Sequence, residues 1–258
     1  MKIDVTTTAT LRYAIVEETL STFWNKLFKG HDARLIINID PIGNGNETAE
    51  SIVEMARRYF PEVIYRIPPT AQYIDALKWT WSQVQSEYFF NLEDDYHLVC
   101  QLDMSAMLRA FKHDKALALL RLPKGESFGD KVHWAVPFRS KLAIWNGYYY
   151  EDSTLAFTGM PSMIRTKWMR GFYPHLRSDL NHEITFRKLK QAEMPIALDW
   201  KFGVYTERDT PKTVYDIGVD WRNKKDIRKN YGDRKRKVGF TGWLKDGKPY
   251  LNEKSVKE

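Results

Sequence analysis

The chain has 258 residues, 43% of them hydrophobic and 28% charged, with a net charge of +7 and a pI near 9.2. That length supports one large α/β domain or two small ones, and the single cysteine, Cys100, excludes an intramolecular disulfide framework and fits a reducing cytosol. No apolar run approaches the roughly 20 residues of a membrane span, the opening residues read as a strand and not as a signal peptide, and the positive balance favours anionic partners.

Residues 2–8 are β-branched and bounded by polar residues, which predicts a first strand. Over 13–28, Ile15, Val16, Leu20, Phe23, Trp24, Leu27 and Phe28 recur at helical spacing. Residues 34–39 form a second strand whose apolar run suits a parallel strand covered on both faces. It ends at Asp40 and a loop rich in glycine and asparagine. A helix over 47–59 and a strand over 63–66 follow. Pro68-Pro69 then breaks the chain before a helix over 71–85 carrying Ile74, Leu77, Trp81 and Val84. A fourth strand, 88–92, runs straight into Glu93-Asp94-Asp95. This alternation predicts an α/β fold with a doubly wound, mostly parallel central sheet flanked by helices, and ligands at the carboxyl ends of its strands. Thr6-Thr7-Thr8, Asp40 and the acidic triplet are all expected at such ends.

The second half is less regular. Residues 116–122 read as a buried strand and 181–191 as an amphipathic helix with Ile184, Phe186 and Leu189, while the segments around Trp134, Trp145, Tyr148 and Phe157 are aromatic and loop-like. Between 222 and 237 there are nine basic residues against two acidic ones.

Two carboxylates flanking one residue, directly after a buried strand, suit the holding of Mn²⁺ or Mg²⁺ against a diphosphate: the strand fixes the backbone and the short side chains reach the ion. An acidic turn that caps the next element is the commoner origin of such a triplet; the strand before it tips the reading toward function.

The first hundred residues resemble the nucleotide-binding half of GT-A glycosyltransferases, especially the family-2-like group. Val5-Thr6-Thr7-Thr8-Ala9-Thr10-Leu11-Arg12 is similar to that group's opening strand and loop along the nucleoside, which implicates Thr7, Thr8 and Arg12. Asp40 falls where the family has an aspartate for the uracil or ribose. Ser86 through Asp95 resembles the strand leading into the D-x-D motif, with Glu93 in place of the first aspartate. The resemblance makes Asp95 the direct metal ligand and Glu93 the second, puts Asp94 among the cofactor-binding residues, and sets Lys78 near a family position facing the donor. Residues 157–165 resemble the segment that shapes the donor-sugar and acceptor pocket. Residues 178–187 resemble the acidic helix start where inverting members keep a general base, implying Glu183 first and Asp179 second. Aligned on Arg187, that position falls on Asn181, and Asp179 or Asn181 would serve equally well as an N-cap. Residues 214–222 resemble a C-terminal loop that folds over the donor, which implies Asp216 as a further metal ligand. The resemblance thus implies a metal-dependent glycosyltransferase with a nucleotide-sugar donor, UDP-linked. One GT-A-like catalytic domain spans 1–221, with a nucleotide-binding half (1–100) and an acceptor half (101–221), and 222–258 is a basic appendage.

The basic segment carries Trp221 and Tyr231, with Phe240 and Trp243 beyond, a combination that offers phosphate neutralisation and stacking on bases. In size and character the chain is similar to compact bacteriophage enzymes that glycosylate hydroxymethylated bases in double-stranded DNA, which implies a DNA partner and a host-cytoplasmic setting. Three rivals remain. A cell-surface polysaccharide glycosyltransferase would lay the basic tail on anionic lipid. A sugar-phosphate nucleotidyltransferase would open with a glycine-rich loop, which Thr6 to Thr10 lacks. A non-catalytic nucleic-acid-binding protein would leave the strand-end acids without a purpose.

Overall fold

The computed structural model describes residues 2–43, 46–125, 149–151, 157–205, 213–224, 227–230, 242–245 and 248–249. Its first half follows the expected alternation: β1 (Ile3–Leu11), α1 (Tyr13–Phe23), β2 (Ala33–Gly43), α2 (Ala49–Ala56), β3 (Val63–Arg66), α3 (Tyr73–Ser82) and β4 (Tyr88–Glu93). The boundaries differ in ways that matter for the site. The helix predicted over 13–28 changes after Phe23 into one π-helical turn, Trp24–Phe28. β1 runs past Thr8 to Leu11, because Thr10 remains β-branched and in register with Asp40. β2 runs past Asp40 to Gly43, where a bulge pairs Leu11 with Gly43. Gly43 has φ +144°, and a Cβ there would lie 2.2 Å from the Leu11 carbonyl oxygen, so only glycine fits. Thr7, Thr8 and Asp40 therefore lie inside their strands and not at the strand ends.

The second half adds β5 (Tyr96–Leu98), α4 (Met104–His113), β6 (Leu117–Arg121), β7 (Lys124–Gly125), β8 (Tyr149–Glu151), β9 (Ser162–Arg165), α5 (Thr166–Phe172), α6 (His182–Gln191), α7 (Pro195–Leu198), β10 (Lys201–Tyr205), β11 (Val214–Asp216), α8 (Ile217–Lys224), β12 (Ile227–Asn230), β13 (Gly242–Lys245) and β14 (Lys248–Pro249). An eight-stranded sheet has the order β3-β2-β1-β4-β9-β6-β10-β8. Strands β1 to β4 are mutually parallel, and β9 enters antiparallel between β4 and β6. An antiparallel strand starts where its parallel neighbour ends. Ser162 consequently pairs with Asn91, and the segment before β9 arrives beside Glu93. A small sheet, β5-β11-β7, folds back over the same edge.

Side chains alternate between two cores. Leu35, Ile37, Phe90 and Leu92 pack with α1, α2 and α4, whereas Ile36 and Phe89 pack with α3, α5 and α6. Both faces of the sheet are covered, as the apolar strands predict. Among the described residues no helix is long and apolar enough to cross a membrane. Helix α8 continues through Arg222 to Lys224, so the start of the basic segment is joined to the fold without a break. Beyond it, β12, β13 and β14 form an antiparallel sheet. Trp243 lies in β13; Tyr231, Phe240, Trp134, Trp145 and Tyr148 lie outside the described residues.

Candidate active site

Asp94 is the anchor of the acidic turn. Its carboxylate accepts from the Thr10 amide (3.0 Å) and from Arg12 Nη2 (2.8 Å), and its carbonyl accepts from the Thr19 hydroxyl (2.8 Å). Burial lifts the Asp94 carboxyl above its ordinary range, opposed by Arg12 and reinforced by the charge of Asp95. Arg12 is buried just beyond β1; Asp94 and Asp95 outweigh the cost of that burial and hold its guanidinium above its usual value. Thr10, which stood in the quoted motif without a role of its own, makes the end of β1 a clamp on the acidic turn.

Asp95 lies where three elements meet. Its Oδ2 is 3.3 Å from Arg12 Nη2 and 3.6 Å from Arg222 Nη1. Its carbonyl accepts from the Ile217 amide at 2.9 Å. A Cβ on Gly218 would come within 2.1 Å of Asp95 Oδ2, so the first turn of α8 closes on this carboxylate only because residue 218 is glycine. Asp216 is engaged on both oxygens: Lys124 Nζ donates to Oδ2 (2.8 Å) and the Val219 amide to Oδ1 (3.1 Å). It caps α8 and pairs with Lys124. Trp221 lies over Arg12, with the guanidinium carbon 5.2 Å from the ring centroid.

Glu93, in register with Thr8, turns toward a different set of groups. The Tyr73 hydroxyl donates to its Oε1 at 3.2 Å. Burial, and then Glu93 itself, push the Tyr73 hydroxyl well above its ordinary pKa, so it remains a donor. Gly159 sits between Glu93 and α6: a Cβ there would lie 2.6 Å from Glu93 Oε1 and 3.0 Å from His182 Nε2. The Gly159 amide donates to Glu183 Oε1 at 3.1 Å, and its carbonyl accepts from Asn91 Nδ2 at 3.4 Å. The buried amide of Asn91 also accepts from Trp81 Nε1 at 3.2 Å. His182 is buried with neither ring nitrogen hydrogen-bonded, and burial lowers its pKa to about 4. Asn181 is the N-cap of α6, accepting from the amides of Glu183 (2.8 Å) and Ile184 (3.4 Å). Asp179 is exposed and paired with Arg177 at 2.6 Å.

Asp40 lies further along the edge. Asn38 Nδ2 donates to its Oδ1 at 2.7 Å, and Asn38 in turn accepts from Arg66 Nε at 2.6 Å. Burial pushes the Asp40 carboxyl up to about 6 despite the Asn38 bond and the charge of Arg66. Thr7 shares a strand face with Val5 and Ala9, toward the α1-side core, and its hydroxyl is buried without a partner. Lys78 lies over the ring of Tyr173, 5.6 Å from its centroid.

The fold thus brings Arg12, Asp94, Asp95 and Asp216 into one cluster and Glu93 and Glu183 into a neighbouring one, and it leaves Asp179 and Lys78 in other pairings. Sequence reasoning missed Tyr73, His182 and Lys124, and placed Gly159 in the pocket-shaping segment without a role of its own. Among the described residues no three acidic, histidine or cysteine side chains converge closely enough to hold an ion by themselves. Yet burial, and then the charges of Glu93, Asp216, Asp95 and Glu183, push the Tyr96 hydroxyl well above its ordinary value, so four carboxylates lie within electrostatic reach of one ring. That donor set fits a hard divalent ion held by one or two carboxylates and completed by phosphate oxygens and water.

Comparison with solved structures identifies the architecture. Staphylococcus aureus TarS residues 1-349, in complex with UDP-GlcNAc, superposes with a TM-score of 0.56 over 83% of this chain at 13% identity. The mannosyltransferase PcManGT from Pyrobaculum calidifontis, with GDP-Man and Mn²⁺, gives 0.52 over 83% at 10% identity. GalNAc-T7, with UDP, GalNAc and Mn²⁺, gives 0.56 over 83% at 11% identity. This is the GT-A fold. The GT-A match covers 58%, 56% and 43% of those three chains, so each of them is considerably longer than the part matched here. No protein-family model and no curated protein matches the sequence.

Proposed function

We propose that the chain is a glycosyltransferase that moves a sugar from a nucleoside-diphosphate donor to a hydroxyl acceptor. The observation that carries this reading is the convergence of Arg12, Asp94 and Asp95 where β1 and β4 end on a GT-A sheet. The GT-A neighbours crystallised with UDP-GlcNAc, with GDP-Man and Mn²⁺, and with UDP, GalNAc and Mn²⁺ support it.

In this reading Asp95 is the ligand to the divalent ion, and Glu93 contributes more weakly because it is already engaged by Tyr73. Asp216 serves the site as the cap of α8. A bound Mn²⁺ or Mg²⁺ supplies Lewis acidity to the departing diphosphate. Asp40 and Thr8 line the nucleoside side. Glu183 takes the proton of the acceptor hydroxyl, its carboxylate oriented by the Gly159 amide. It is preferred to Asp179, which is exposed and committed to Arg177.

The net charge of +7 supports an anionic acceptor. Duplex DNA carrying hydroxymethylated bases is the form we carry forward. A lipid-linked glycan at an acidic membrane surface is the rival. Trp221 and Arg222 are turned inward in the fold, against Arg12 and Asp95, and are not available to a polyanion. Purified protein offered labelled UDP- and GDP-sugars with each acceptor tests both. Transfer to DNA that falls steeply with salt is expected of the first reading, and transfer to lipid-linked sugar alone removes it. Glu183→Gln is expected to slow transfer by about 10²–10⁴-fold while leaving donor affinity within a few-fold. Unchanged transfer would remove Glu183 as the base.

A further inference from the structure

We propose that Arg222 is a positioning residue for Asp95, one that makes binding of the divalent ion conditional on the donor's diphosphate. This rests on the donor reading above. Arg222 belongs to the basic segment that the sequence assigns to the acceptor, yet its side chain is only 11% exposed and ends 3.6 Å from Asp95 Oδ2. It is carried there by α8, whose first turn is fixed by the Ile217 amide on the Asp95 carbonyl and by the Asp216 cap. Gly218 permits this closeness, since any side chain at 218 would collide with Asp95.

Charge decides what Arg222 does. Asp94 and Asp95 face Arg12 and Arg222, and Lys124 pairs with Asp216 beside them. A divalent ion arriving alone beside Asp95 sets two positive charges next to the Arg222 guanidinium in a poorly solvated site, and that repulsion opposes it. A divalent ion arriving with a nucleotide sugar adds no net charge, because each phosphate of the diester brings one negative charge, and with UDP or GDP, whose terminal phosphate is largely doubly ionised at neutral pH, the pair is net negative. Arg12 cannot relieve the repulsion, being held by Asp94 and covered by Trp221. Arg222, on the last helix joined to the site, is the cation that discriminates the two cases. Without the ion it keeps Asp95 oriented; with the ion alone it competes; with ion and diphosphate together it gains a second anionic neighbour.

The test is a titration of the full chain with Mn²⁺, following the free ion by electron paramagnetic resonance, without nucleotide and with saturating UDP or GDP. Wild type, Arg222→Gln and Arg222→Lys are compared, with circular dichroism reporting the fold. Arg222→Gln is expected to bind Mn²⁺ alone about tenfold more tightly than wild type and to lose about tenfold of the enhancement that nucleotide gives. Arg222→Lys, which keeps the charge, is expected to follow wild type; should the Gln variant not fold, a Lys variant that binds Mn²⁺ alone as tightly as it does with nucleotide overturns the proposal. Unchanged or weaker binding of Mn²⁺ alone by folded Arg222→Gln also overturns it, and leaves the donor reading standing if wild type still shows the nucleotide enhancement. If UDP and GDP change nothing in wild type while Arg222→Gln still tightens Mn²⁺ binding, the donor reading fails and the competition between Arg222 and the ion stands.

Discussion

The two ends of β1 hold similar chemistry and put it to different use. At the amino-terminal end Asp4 accepts from Arg34 Nε (2.7 Å) and from the amides of Gln85 (2.6 Å) and Ser86 (2.9 Å). Burial raises the cost of its charge, but those bonds outweigh it, and the Asp4 carboxyl lies below its ordinary value. At the other end Asp94 also meets an arginine and a backbone amide, yet its carboxyl lies above the ordinary value, and Asp40 stands at about 6. Burial lifts both carboxyls first, and the neighbouring acid second. Asp4 accepts from two amides as well as from Arg34, which also reaches the exposed Glu62, whereas Asp94 and Asp95 are adjacent acids that share Arg12, with Arg222 3.6 Å from Asp95. A fold that only needed stability would hold both ends as it holds Asp4; buried acids with raised carboxyls at one end are what a cation-bearing ligand uses.

Breaking the crowded end should cost chemistry. Asp95→Asn is expected to lower transfer by about 10³-fold or more, because the several kcal/mol of charge stabilisation from the ion is lost. Steady-state rates with a fixed donor check this. Breaking the quiet end should cost stability. Asp4→Ala leaves the buried Arg34 with only the exposed Glu62 at 3.4 Å as a carboxylate partner, which is expected to destabilise the fold by about 3 kcal/mol in urea, with nucleotide affinity unchanged within about twofold.

Asp40 sharpens the contrast, because its cost to stability depends on pH. Its carboxyl is raised from 3.8 to about 6 in the fold, so between those values the unfolded chain ionises first and stability falls as pH rises. The full effect, about 3 kcal/mol, is reached above pH 6. Asp40→Asn should therefore match wild type below about pH 4 and exceed its stability by roughly 2–3 kcal/mol at pH 7.5, while UDP or GDP affinity drops. His182 works in the opposite sense. Its value is lowered from 6.5 to about 4, so its contribution is present above 6.5 and is lost as pH falls toward 4. The two slopes oppose each other in one window. Urea melts from pH 4 to 7 should show Asp40→Asn losing stability steeply in acid and His182→Gln gaining it, with wild type between. Asp179→Asn, at an exposed ion pair, should change stability by less than about 0.5 kcal/mol and transfer by less than about twofold.

The parallel half of the sheet was legible because its evidence is local: apolar strands, helical spacing and breakers at Pro68-Pro69 all sit within a few residues of the element they define. The acids at 93–95 were legible because a strand leads directly into them. What escaped depends on contacts across the chain. β9 has nothing in Ser162–Arg165 that announces an antiparallel insertion between β4 and β6, yet that insertion brings Gly159 to Glu93. Tyr73 and Lys124 read as ordinary residues until the topology sets them against Glu93 and Asp216. Arg222 shows the same limit from the other side. In sequence it joins a basic run, and only the packing of α8 on Asp95 separates it from that run. A glycine at 218 was the available signal, since close approach of a helix to a carboxylate requires one.

The most direct test of the central claim is calorimetric titration of UDP and GDP into wild type and Asp95→Asn, with and without Mn²⁺. One nucleoside diphosphate is expected to bind wild type at least about tenfold more tightly with Mn²⁺, and Asp95→Asn is expected to lose that enhancement while keeping metal-free affinity. Absence of binding by either nucleotide under both conditions, or full retention of the enhancement in Asp95→Asn, would contradict a donor site built on this edge of the sheet.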